Sequence, residues 1–197
     1  MSALSKVDIG NLALSNVGAK VSILNFNDKT NEARRVNQWY DVSRKQVLKA
    51  YDWSFARKRQ DLAEHGDDPP DQWAVRYQYP SDCIQMRRIW NPAGETVPPV
   101  PWALETSGTT KSILTNMEDA VGIYTFDQED TSMFTEDFSL ALSWLIGFYI
   151  AFSITGKRSI AKDCWSTYSV LIASAPANDS NEQVEDLPKD ADWIQGR

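Results

Sequence analysis

The chain has 197 residues, 42% hydrophobic and 24% charged, with eight Trp. That composition places it among soluble globular proteins and excludes the disordered and fibrous classes. Its net charge of −7 argues against a dedicated DNA-binding domain, which carries a basic footprint.

Two cysteines, Cys83 and Cys164, stand far apart and in different kinds of segment. They suggest structural thiols rather than a disulfide framework or a metal site, and no cofactor is expected. The one histidine, His65, sits in the polar stretch EHGDDPPD and is expected in a loop, not as a catalytic base. Met1 to Gly10 shows no apolar run after a basic start, so no targeting signal is expected.

Residues 4–18, LSKVDIGNLALSNVG, carry Leu4, Val7, Ile9, Leu12, Leu14 and Val17 and predict a helix closed by Gly18. An apolar link, Val21, Ile23, Leu24 and Phe26, leads to NDKTNE, which supplies the start residues of a second helix. In residues 31–60, Ala33, Val36, Tyr40, Val47 and Tyr51 fall on one helical stripe, with Arg34, Arg35, Lys45 and Lys49 on the other side. Roughly 20 helical residues would span about 30 Å. Asp52 to Phe55 break the stripe, and the spacing of Trp53 and Phe55 suits extended chain with both rings on one face. They are expected as a core anchor beneath the helix end; stacking on nucleic-acid bases is the alternative. Arg57, Lys58 and Arg59 stand where they could complement the exposed carbonyls of the helix terminus.

Beyond the turn-forming HGDDPPD, residues 73–90 alternate in the manner of strands. Trp73, Val75, Tyr77 and Tyr79 share one side. After a turn at Pro80, Ser81 and Asp82 come either Ile84, Met86 and Arg88 or the shifted set ending in Ile89. Pro98, Pro99 and Pro101 exclude a helix before a short strand at Trp102 to Glu105. Strands at Ser112–Thr115 and Ala120–Phe126, joined by NMED, complete a small antiparallel unit. GTTKS at 108–112 echoes the end of a phosphate loop but lacks the leading glycine and its spacing, and is rejected.

Residues 134–155 form the most apolar stretch, with Phe134, Phe138, Ala141, Leu145, Phe148 and Phe152 at helical spacing. Its uncharged run is short for a membrane span and contains Ser143, Gly147 and Ser153, so a buried central helix is expected. Ser159–Ala175 predicts a last helix with Ile160, Cys164, Tyr168, Leu171 and Ala175 on one stripe, ending at Pro176. From Asn178 an acidic tail runs to Trp193 and Ile194, an apolar anchor that suits either a partner or its own domain.

The fold class expected is therefore α+β. A bundle of about four helices, from residues 1–60 and 131–177, carries an inserted antiparallel β-sheet at 61–130 and an extended tail at 178–197. Charge is divided unevenly: residues 1–60 hold 11 Lys and Arg against 5 Asp and Glu, and residues 61–197 hold 9 against 22.

In order and length the chain resembles the tail tubular protein A, or head-to-tail adaptor, family of short-tailed bacteriophages. The resemblance lies in NLALSNVGAKVSILNFND, the long helix running into AYDWSFARKR, the strand SDCIQMRRIW, the helix FSLALSWLIGFYIAFSITG and the terminal DWIQGR. It implies a structural virion protein, assembled in the host cytoplasm, that forms a twelve-subunit ring between portal protein and tail nozzle and extends the DNA channel without sequence-specific binding. It also implies that the C-terminal segment docks on portal through Trp193, Ile194 and Arg197, rimmed by Asp190 and Asp192. The basic face of the long helix, Arg34, Arg35, Lys45 and Lys49, is expected to meet an acidic neighbour, since a head-to-tail ring needs two different complementary surfaces. Trp53 and Phe55 become the joint between bundle and β insertion. Glu105, Glu118, Asp119, Asp127, Glu129 and Asp130 are candidates for an acidic channel wall, or simply a solvated surface.

Two other functions compete. A cell-wall polymer hydrolase would need paired carboxylates, for which Glu136 with Asp137 and Glu118 with Asp119 are candidates. A nucleic-acid-binding regulator would use Arg57 to Arg59 with Trp53 and Phe55.

Overall fold

A computed structural model of the chain describes residues 4–93 and 98–180. Helix α1 (Lys6–Asn16) begins at a capping box: the Ser5 hydroxyl accepts from the Asp8 amide at 3.2 Å, and the Asp8 carboxylate accepts from the Ser5 amide at 3.0 Å. It closes as expected near Gly18, whose φ of 72° is the left-handed conformation that favours glycine. The apolar link that follows is tied down by Asn11, whose side-chain amide donates to the Ile23 carbonyl and accepts from the Ile23 amide. Ile23 is thereby buried while Leu24, next to it, is exposed.

Helix α2 (Asn31–Ala50) starts at Thr30, whose hydroxyl accepts from the Ala33 amide. Its buried face holds the expected Ala33, Val36, Tyr40 and Val47. It also holds Ser43 and Arg44, polar residues that fill the gap in the stripe.

The most apolar helix, α3 (Glu136–Thr155), is capped by Thr135 and stopped by Gly156 at φ 69°. By length and composition alone it could cross a membrane. In the fold ten of its residues are buried, because α1, α2 and α4 (Arg158–Ser180) all pack on it. The helices meet around Gly147, where a Cβ would make ordinary contacts 3.4 Å from the Cys164 sulfur of α4 and 3.6 Å from the Ala13 carbonyl of α1. Helix α4 buries Cys164, Tyr168 and Ala175 of the predicted stripe, but it passes Pro176 and continues to Ser180.

The inserted unit differs from the single sheet expected. It consists of two three-stranded antiparallel sheets. One has the order β1 (Arg57–Asp61), β6 (Val121–Phe126), β3 (Cys83–Ile89); the other has β2 (Val75–Gln78), β5 (Thr110–Thr115), β4 (Trp102–Ser107). The turns at Pro80–Asp82 and at NMED therefore do not make hairpins. Each carries the chain from one sheet to the other, so that Leu62, Tyr77, Met86, Ile89, Ile113, Ala120 and Tyr124 form a second core separate from that of the bundle. The unit begins at Arg57, not at residue 61, because the basic run Arg57–Arg59 is the first strand rather than a cap on α2.

The cap on α2 comes from elsewhere. The helix has no terminal glycine; Tyr51 turns out of it in extended conformation at φ −140°. The Trp53 indole donates to the Val47 carbonyl at 2.9 Å. The Arg87 guanidinium donates to the carbonyls of Leu48, Lys49 and Tyr51 at 3.0, 3.2 and 2.6 Å. Arg87 can do this because β3 is irregular there: Met86 pairs with Tyr124 but Arg88 pairs with Ile123, which leaves Arg87 as the extra residue of a bulge. The same bulge puts both Met86 and Ile89 in the core, so each of the two alternations expected for this strand holds over part of it.

Trp53→Ala, which opens a cavity and orphans the Val47 carbonyl, is expected to cost about 3–5 kcal/mol. Arg87→Met keeps much of the side-chain volume but leaves the half-buried carbonyls of Leu48 and Tyr51 unpaired, and is expected to cost about 1–3 kcal/mol. Urea unfolding followed by circular dichroism measures both; a loss below about 0.5 kcal/mol for Arg87→Met would show that water replaces the cap.

Candidate functional site

The residues singled out for function fall into three places. The first is the joint between bundle and β unit. Trp53 is 3% exposed and has the expected extended backbone; Phe55 is partly buried and lies in the 3-10 turn (Ser54–Ala56) that Trp53 leads into, not in extended chain. Both rings still meet the same partner: Phe138 of α3 lies 5.3 Å from Trp53 and 5.1 Å from Phe55, edge to face in each case. The neighbouring basic residues are engaged within the chain. Arg57 pairs with Asp52 at 3.1 Å, Lys58 with Asp82 at 2.7 Å, and the Arg59 guanidinium lies 4.0 Å over the Trp90 ring. A base-stacking platform at residues 53–59 is thus not open to solvent.

Arg44 anchors the same joint from the other direction. Its side chain, 2% exposed, reaches from α2 to the segment after β6, donating to Asp127 at 2.6 Å and to the Gln128 carbonyl at 2.6 Å, with Glu129 at 3.4 Å and Asp41 at 3.7 Å. Lys45 takes the other oxygen of Asp127 at 2.8 Å. Burial pushes the Asp127 carboxyl up, but the hydrogen bonds from Lys45 and Arg44 outweigh it and hold the group below its ordinary value. Asp82 follows the same pattern: burial raises it, and the hydrogen bonds from Lys58 and from the Tyr124 hydroxyl bring it lower.

The second place is the exposed face of α2. Arg34, Arg35 and Lys49 point outward, with no carboxylate of the described residues within ion-pair distance. Arg34 donates to the Lys29 carbonyl and Arg35 to Gln38, contacts that leave their charge uncompensated. Lys45, expected to share this role, is spent on Asp127.

The third is the acidic set, which does not converge. Glu105 pairs with Arg76 at 2.7 Å, and Asp127 is held by Arg44 and Lys45. Asp130 caps the short 3-10 turn Thr131–Met133 through the Ser132 amide. Glu118 and Asp119 are exposed in the turn between the sheets, with Asp119 at φ 50°. Glu136 and Asp137 occupy the first turn of α3, where carboxylates favour the helix dipole. His65 lies in a loop and accepts from the Asp67 amide. Asp190, Asp192, Trp193, Ile194 and Arg197 lie outside the described residues.

Sequence reasoning missed Arg44 and Arg87. The available signal for Arg44 was a gap: a stripe with no apolar residue between Tyr40 and Val47 needs something to fill it. For Arg87 the bulge that aims it has no local signature.

The depressed pKa values of Asp82 and Asp127 set a pH dependence. Their pairs contribute full stability above the unfolded-chain value of about 3.9 and lose it as pH falls through the lower folded values. The thermal midpoint is expected to fall between about pH 5 and pH 2.5, and Asp127→Asn to lower the pH 7 midpoint while flattening that fall; an unchanged slope would place the acid sensitivity elsewhere. No protein-family model and no curated protein matches this chain.

Proposed function

We propose that the chain is a structural virion protein, the head-to-tail adaptor of a short-tailed bacteriophage, whose subunits form a ring between portal and tail nozzle and continue the DNA channel. The architecture supports this reading: a four-helix bundle carrying an antiparallel β unit is what the resemblance implies. The observation that carries it is the unspent charge on α2. Arg44, Lys45, Arg57 and Lys58 are consumed by carboxylates within the chain, whereas Arg34 and Arg35 stand exposed side by side with no carboxylate of the described residues against them. A ring built by head-to-tail repetition needs two unlike surfaces on each subunit. Arg34 and Arg35 form one; the exposed Glu118 and Asp119 turn and the acidic C-terminal segment are candidates for the other. The ring has twelve members by the resemblance, and DNA passes through it without sequence-specific binding.

Arg34→Glu with Arg35→Glu is expected to leave the circular dichroism spectrum and melting midpoint unchanged and to abolish rings on portal, as counted in electron-microscope class averages. Wild-type chain that stays monomeric with portal present would sink the assignment. Deletion of residues 185–197 is expected to prevent attachment to portal-containing heads.

A further inference from the structure

The bundle leaves one apolar face uncovered. On α3, Leu140, Trp144, Phe148 and Phe152 recur every fourth residue along its outer side, with Leu140 40% and Phe152 55% exposed. On α4, Trp165, 44% exposed, lies 5.2 Å from Phe148. The basic end of the face is at the start of α4, where the Arg158 guanidinium lies 5.5 Å over the Phe152 ring and Lys162 follows one turn later.

We propose that this face is the docking site of the chain's own C-terminal segment, with Trp193 and Ile194 seated beside Phe152 and Trp165 and with Asp190 and Asp192 against Arg158 and Lys162. Two arguments select this occupant. The first is reach. Helix α4 runs to Ser180, and thirteen residues separate that point from Trp193. Extended, they cover up to about 43 Å, whereas Trp165 lies about 22 Å and Arg158 about 33 Å back along the helix. The segment can therefore fold back over the whole face. The second is chemistry. The segment carries one aromatic and one branched apolar residue directly preceded by the carboxylates of Asp190 and Asp192, and the face offers exposed aromatics ending in a guanidinium and an ammonium group. Apolar burial supplies the affinity, and the charges set the direction of the strand.

The inference does not depend on the adaptor reading; it concerns the chain before any partner is met. A docked segment shields the aromatic face and keeps Trp193 and Ile194 from other surfaces until a competitor displaces them.

Carbodiimide coupling of the full-length chain tests it, since a carboxylate and an amine join only when in contact. The expected result is an intrachain link from Asp190 or Asp192 to Lys162 or the adjacent Lys157, found by peptide mass spectrometry in the monomer band. Its yield is expected to be independent of protein concentration and lost in Trp193→Ala with Ile194→Ala. The same double variant is expected to raise emission of the apolar dye anilinonaphthalene sulfonate several-fold at unchanged circular dichroism. Absence of the link, or dye binding equal to wild type, overturns the proposal. A link confined to the dimer band also overturns it, and assigns the face to a second copy.

Discussion

The rest of the structure depends on how the carbonyl end of α2 is satisfied. A helix that stops without a left-handed residue leaves its last carbonyls facing a buried region, and each unpaired group there costs about 1–3 kcal/mol. In this chain the Trp53 indole and the Arg87 guanidinium take the carbonyls of Val47, Leu48, Lys49 and Tyr51. Trp53 belongs to the bundle core and Arg87 to a strand of the β unit, so a local requirement of one helix becomes a bond between the two units. Burial pulls the Arg87 pKa down from its ordinary value, with Asp52 opposing it; from so high a starting point the guanidinium remains charged at neutral pH and keeps its donors.

Arg44 completes the attachment. Arg87 reaches from the β unit to the end of α2, while Arg44 reaches from the middle of α2 to the strand exit at Asp127 and Gln128. Opposed ties of this kind resist both separation and rotation of the unit. They also change the meaning of the charge division between the first third of the chain and the remainder. Part of it is internal complementarity: Arg44 and Lys45 with Asp127, and Lys58 with Asp82, each pair a basic residue before position 60 with an acidic one after it. What this internal pairing leaves over on α2 is smaller and more localised: Arg34, Arg35 and Lys49.

The helices were legible because their signals are local. Thr30, Thr135, Gly18 and Gly156 mark ends, and stripes such as Cys164, Tyr168 and Ala175 mark buried faces. The positions of the strands after residue 73 were legible for the same reason, whereas β1 was hidden in the basic run Arg57–Arg59. Sheet membership was not, since Pro80–Asp82 and Asn116–Asp119 have the composition of hairpin turns, and only the non-local pairing of β1 with β6 and of β2 with β5 shows that they cross between sheets. The site was read least well where charge and burial coincide. Arg44 breaks the apolar stripe in composition while occupying it in space, and Arg57–Arg59, adjacent in sequence to the helix end, yields the capping role to Arg87, some 36 residues further on.

The uncovered aromatic face and the unspent arginines belong to the same accounting of surfaces. The α3 outer stripe is as apolar as the buried one, which is why the helix has the composition of a membrane span, and the bundle covers it on three sides only. An apolar face that stays bare in water favours indiscriminate association. In the docking proposed above, the acidic segment that carries Trp193 and Ile194 would cover the face intramolecularly, at high effective concentration. The charged face of α2 needs no such cover, because arginines in water are well solvated and wait at no cost. The two surfaces therefore differ in what water does to them: the charged one is solvated as it stands, and the apolar one gains by being covered.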